Sequence, residues 1–153
     1  MAKKLSHVDR RGRVVMVDVS RKPISVREAV ASGSIAMSRE ALRQIQRGTT
    51  RKGDPVQAAR LAGIMAAKQT ASLIPLCHPL PLSSITVELT PTPRGFDIEA
   101  AVRTSARTGA EMEALTAVSV AALTMYDMVK AVDKGMVIGP IRLVRKTKKR
   151  TGA

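Results

Sequence analysis

The stretch that most constrains the fold is Gly109 to Pro140, GAEMEALTAVSVAALTMYDMVKAVDKGMVIGP, which runs uninterrupted by proline until its last residue. Leu115, Val118, Ala122, Met125, Val129, Val132 and Met136 recur at alternating spacings of three and four, so one helix over this stretch carries a continuous apolar stripe. Gly135 after Lys134 supplies the residue expected where a left-handed conformation ends the last turn. At about 100° per residue the opposite face carries Thr116, Val120, Leu123, Asp127, Lys130 and Lys134, so its first half is apolar as well. Ala114 to Tyr126 holds no charge but is shorter than the ~20 residues a membrane span needs. The expectation is therefore a helix buried on two sides in a soluble protein. Asp127 and Lys130 lie three residues apart, close enough for their side chains to meet. An exposed ion pair is the ordinary reading of such a spacing. The adjoining apolar surface points instead to a covered edge such as a cleft or a subunit interface.

A chain of 153 residues is long enough for one domain with a real core. Of the net charge of +14, residues 1–13 contribute +4 and residues 142–153 contribute +6, so the body has an ordinary balance. Basic ends suit polyanions, whether nucleic acid, phosphorylated ligands or nothing specific. Phe96 and Tyr126 are the only aromatics, too few for the stacking by which bases are commonly held, and the basic residues of the body fit a phosphate ligand at least as well. Cys77 is the only cysteine, which leaves neither an internal disulfide nor a CxxC metal pair, and the two histidines are far apart; no metal site is expected. The polar start MAKKLSHVDRRGR lacks the apolar run of a signal peptide, so the expected location is cytoplasmic.

In chain order, residues 1–12 read as a flexible basic arm with His7 and Asp9 solvated, and Arg13 to Val19 as a strand. Ser25 to Val30 allows a short helix, from a capping box of Ser25 and Glu28, or an extended strand. Ser38 to Arg47 reads as a helix capped by Ser38 and stopped by Gly48. Asp54 and Pro55 start another that runs to about Ala71, rich in small residues that permit close approach of a second helix. Arg51 and Lys52 precede it, either as a phosphate-binding turn or, the commoner case, as a solvated basic turn. LIPLCHPLPL, Leu73 to Leu82, has too many prolines for a helix or a central strand and must be a rigid connection. It fixes His78, either as a structural histidine or as a ligand-orienting or proton-transferring group. Ser84–Thr90 and Phe96–Thr104 alternate about PTPRG and form a hairpin. Val137–Val144 reads as a broken strand, and the chain beyond as a disordered tail.

LIPLCHPLPL and the long-helix run, together with MVDVS at Met16 to Ser20 and KGDPVQAARLAGIMAAK at Lys52 to Lys68, closely resemble the molybdenum cofactor biosynthesis protein C family, the cyclic pyranopterin monophosphate synthases. The resemblance implies a ferredoxin-like α+β fold with an antiparallel sheet, residues 13–144 as the catalytic domain and 145–153 as a basic tail. It also implies a homohexamer, a trimer of dimers, with active sites between subunits. The implied reaction converts cyclised dihydroguanosine triphosphate to cyclic pyranopterin monophosphate and diphosphate without a cofactor. By position, Lys52, Asp127 and Lys130 are the implied catalytic residues, and Lys68, Leu76, Cys77, His78, Glu111, Met112 and Glu113 the substrate-binding ones. Gln69, Ser72 and Val129 depart from the family's frequent residues beside them. Neither nucleic acid nor membrane is an expected partner; the alternative from another class is a basic RNA-binding or assembly module.

Overall fold

The computed structural model describes residues 7–150. Its elements run β1 (Ser25–Ala36), α1 (Arg39–Arg47), α2 (Pro55–Lys68), α3 (Thr70–Leu73), β2 (Leu82–Thr92), β3 (Gly95–Ala106), α4 (Glu111–Val129), β4 (Val137–Ile138) and β5 (Arg142–Arg150). The strands form one antiparallel sheet in the order β2-β3-β1-β4, with β5 also pairing β1. Taking the helices between β1 and β2 as one connection and β4 with β5 as one edge, this is the βαββαβ arrangement of a ferredoxin-like α+β fold.

β3 shows why the sheet has one covered face. Phe96, Ile98, Ala100, Val102 and Thr104 are buried, while Asp97, Glu99, Arg103 and Ser105 between them are exposed. α4 lies across β1 and β3 on the buried face, and α2 packs beside it over β2. The expected close approach of small residues occurs here: a Cβ on Gly63 would lie 2.9 Å from the carbonyl oxygen of Ala117. Of the α4 stripe, Val118, Ala122, Met125 and Val129 are fully buried. α4 is the one described helix long and apolar enough to cross a membrane, but half of that window is buried within the fold, as in a core helix.

Local signals account for the helix boundaries where side chains act as caps. Ser38 Oγ accepts from the Ala41 amide, Gly48 is left-handed at φ 65°, and Asp54 accepts from Val56 and Gln57. The hairpin forms as expected, with Thr92 paired to Gly95. Of the two readings open for Ser25 to Val30 the strand is the one that forms: Glu28 points to Arg103 at 2.6 Å and Arg145 at 2.9 Å, and the segment is the first part of a twelve-residue strand. Other expectations are corrected. Arg13 to Val19 has strand composition, but among the described residues its pairing is limited to the bridge between Val8 and Val14. The long helix ends at Val129, and Gly135 has no positive φ; instead Asp133 caps the following turn, accepting from the amides of Gly135 at 2.8 Å and Ser38 at 2.7 Å. α2 stops at Lys68, and α3 follows as a separate turn.

The basic tail expected to be disordered is strand β5 as far as Arg150, paired with β1 from Ser25 to Ser32. All nine of its side chains are exposed, so it is held by backbone pairing and by ion pairs to Glu28 and Glu111 rather than by a buried face. Residues 1–6 of the expected arm and 151–153 of the tail lie outside the described residues. His7 to Gly12 form an ordered turn in which Asp9 accepts from the amides of Arg11 and Arg13, so Asp9 is engaged rather than simply solvated.

Candidate active site

The ten candidate residues fall into two groups at opposite ends of α4, with one left over. The loop before α2 is pinned by a hydrogen bond from Thr50 Oγ1 to the Gly53 carbonyl, and it throws Lys52 across to the C-terminal end of α4. Lys52 Nζ donates to Asp127 Oδ2 at 2.7 Å and to the Asp127 carbonyl at 3.1 Å. Lys130 Nζ meets the other carboxylate oxygen, Oδ1, also at 2.7 Å. One carboxylate thus bridges two ammonium groups, and both cations sit where the helix dipole is negative. Hydrogen bonding to Lys130, and then to Lys52, holds the Asp127 carboxyl down to about 2. The same bond to Asp127 raises the proton affinity of Lys130. All three side chains are about half exposed, and a cavity of about 330 Å³ lined by Gln44, Thr50, Arg51, Lys52 and Met128 lies alongside.

The other group surrounds the start of α4. Leu76, Cys77 and His78 from the proline-rich connection face Glu111, Met112 and Glu113 across a cavity of about 390 Å³. The two glutamates occupy the first helical turn, where carboxylates are favoured by the dipole. Glu113 is only 4% exposed; its burial, and next the neighbouring Glu111 charge, push its carboxyl up. Burial and then Glu113 likewise push up the Cys77 thiol, which opposes thiolate chemistry there. Glu111 receives Lys146 of β5 at 3.2 Å, so the tail strand reaches the rim of this cavity. The cavity suits a ligand presenting N–H donors to acidic groups; the Lys–Asp–Lys cluster suits an anion.

Lys68 belongs to neither group and is exposed at the last residue of α2. Asp127 stands 14 residues beyond Glu113 on one helix, a separation of about 21 Å at 1.5 Å per residue. A single chain therefore does not gather the candidates around one small ligand. Sequence reasoning missed several residues that line the α4 cavity: His7, Val17, Val19, Lys22 and Thr108. Val17 and Val19 belong to the MVDVS run already singled out, which was the available signal; His7 and Lys22 carried none. A larger, open cavity of about 660 Å³ on the sheet, near Glu88, Asp97 and Arg142, contains none of the candidates.

Comparison with known proteins places the chain in a family. Residues 16–149 match the model of the MoaC family. A cyclic pyranopterin monophosphate synthase from Nostoc sp. is 58% identical over 150 residues, covering 97% of this chain and 89% of the relative. One from Cereibacter sphaeroides is 57% identical over 97% of this chain and 94% of the relative, and one from Parvibaculum lavamentivorans is 52% identical over 99% and 96%. With a family match across nearly all of the folded body and relatives this similar end to end, the chain belongs to the MoaC family.

Proposed function

We propose that this chain is a cyclic pyranopterin monophosphate synthase of molybdenum cofactor biosynthesis. It is a lyase that rearranges (8S)-3',8-cyclo-7,8-dihydroguanosine 5'-triphosphate to cyclic pyranopterin monophosphate and releases diphosphate. The observation that carries the proposal is the near full-length identity with relatives bearing that name. The chemistry needs a ring to open and another to close by proton transfers, and a cyclic phosphate to form as the bond from the α-phosphorus to diphosphate breaks. Lys52 and Lys130 supply paired positive charge for the negative charge that develops on phosphate oxygens. Because Asp127 strengthens the hold of Lys130 on its proton, Lys130 serves as a charge clamp or general acid; a general-base role would require release from Asp127 first. Glu113, buried with a raised carboxyl, is a proton reservoir beside His78 in the α4 cavity.

The roughly 21 Å between the two groups supports a site completed between subunits, one chain giving the α4 cavity and a neighbour giving the Lys–Asp–Lys cluster. The proposed assembly is a homohexamer, a trimer of dimers, in the cytoplasm. Leu61, Met65 and Leu123 are exposed in the single chain and offer apolar surface for such contacts. The RNA-binding alternative loses ground because Arg145 and Lys146 of the tail are engaged by Glu28 and Glu111. The test is incubation with the cyclised nucleotide and analysis for diphosphate and pterin. Release of both supports the synthase; an intact substrate after prolonged incubation refutes it.

A further inference from the structure

His7 stands at the wall of the α4 cavity, and its Nδ1 is buried without a hydrogen-bond partner among the described residues. The segment that carries it is fixed. The His7 carbonyl accepts from the Val15 amide at 3.0 Å, Val8 bridges Val14, and Asp9 ties down Arg11 and Arg13 through 2.8 Å and 3.0 Å bonds to their amides. A polar atom taken out of water without a replacement partner is unfavourable, so a built turn that holds one against a cavity indicates a ligand group that completes it. Opposite lie His78, Glu111 and Glu113, and among the described residues the only lysine on the cavity wall is Lys22. The Glu111 carboxylate disfavours phosphate, and the oxygens of both carboxyl groups accept from N–H donors, which suits this end of the site to a nitrogen heterocycle.

Building on the synthase reading, we infer that His7 is a further substrate-contacting residue, whose Nδ1 exchanges a hydrogen bond with the heterocyclic end of the guanine-derived nucleotide. The ordered turn at His7–Gly12 is then part of the binding site. An imidazole can accept or donate through Nδ1 according to its tautomer, which suits a ring whose own protonation changes during rearrangement.

The test compares His7→Phe, which keeps a ring of similar size without nitrogen, with His7→Asn, which places an amide where Nδ1 lies. GTP serves as the non-reacting probe, followed by calorimetry, and the cyclised nucleotide gives KM and kcat. His7→Phe should weaken GTP binding and raise KM by about tenfold or more, and His7→Asn should stay within about threefold of wild type. Circular dichroism and light scattering establish that each variant is folded and assembled. As a measurement on the unaltered chain, the His7 Nδ1 resonance of ¹⁵N-histidine protein should move as GTP saturates the site. Wild-type affinity in His7→Phe, an Asn variant no better than Phe, or an unmoved resonance at saturation overturns the inference, as does a wild-type chain that binds no GTP at millimolar concentration. Wild-type protein that binds GTP yet leaves the cyclised nucleotide intact refutes the synthase reading separately, and the binding comparison still decides the role of His7.

Discussion

Lys52 and Asp127, 75 residues apart in the chain, meet at 2.7 Å where the loop before α2 crosses the end of α4. The contact exists because Asp54 and Pro55 start α2 at a defined residue and because α4 ends one residue short of Lys130. Lys130 then turns back onto the same carboxylate. Neither lysine is held by burial, so the geometry depends on Asp127 alone.

That dependence makes a kinetic prediction. Lys130→Ala and Lys52→Ala should each lower turnover by roughly 10²-fold, and Asp127→Ala should do the same although it removes no positive charge. Because the pair acts as one unit, Asp127→Ala combined with Lys130→Ala should be little worse than the poorer single variant. Steady-state kinetics on protein of unchanged mass is the measurement. Near-wild-type turnover in Lys130→Ala would make the cluster an exposed structural pair and nothing more.

Glu113 predicts a pH dependence of stability. Its carboxyl is raised by burial, so over a window above the ordinary carboxylate range the folded chain keeps a proton that the unfolded chain has lost. Folding stability therefore falls as pH rises through that window. Glu113→Gln removes the titration while keeping the shape, and its Tm should exceed that of wild type at pH 8 and converge with it near pH 4. A Tm difference that is the same at both pH values would show that Glu113 is ionised without cost.

Gly63→Ala sets two effects against each other. Alanine gains about 1 kcal/mol in intrinsic helix preference over glycine. Its Cβ, however, would lie 2.9 Å from the Ala117 carbonyl oxygen and 3.2 Å from both Val87 methyls. The oxygen is backbone on a helix buried against the sheet and cannot swing aside, and overpacking of this kind costs typically 1–3 kcal/mol. The clash should win or at best cancel, and thermal melting should show no gain and a fall of up to a few degrees. A clear rise in Tm would mean that α2 and α4 separate without penalty.

These residues also show how much was legible in advance. Ser38, Gly48 and Asp54 announce their helix ends because the cap is a local interaction between neighbours in sequence. The β3 alternation was readable because one face is buried and the other is not. The break in the strand at Val137–Val144 was readable from Gly139 and Pro140, but its continuation over 145–150 was not, since the composition there argues for solvent and the order comes from the distant partner β1. Nor could Gly135 reveal that Asp133 caps the turn first, through an amide 95 residues away at Ser38. For the site, the resemblance selected the residues, but their division between the two ends of α4 needed coordinates. His7 was misread because a histidine in a basic arm looks solvated until the turn that buries its Nδ1 is seen.

Leu123 separates the fold from the assembly. It was expected to be covered, yet in the single chain it is 58% exposed, beside the buried Ala122 and one turn ahead of Asp127. Replacing it with glutamate therefore removes little from the chain's own core. If a second copy covers this face, the same change places a charge without a partner in an apolar contact, where an uncompensated carboxylate is strongly unfavourable. Leu123→Glu should keep the circular dichroism of the wild type while light scattering shows a smaller particle. Turnover should fall with the mass, since the two halves of the site would no longer meet. A variant that retains both the wild-type mass and turnover would place Leu123 in solvent and leave the joining of subunits to another face.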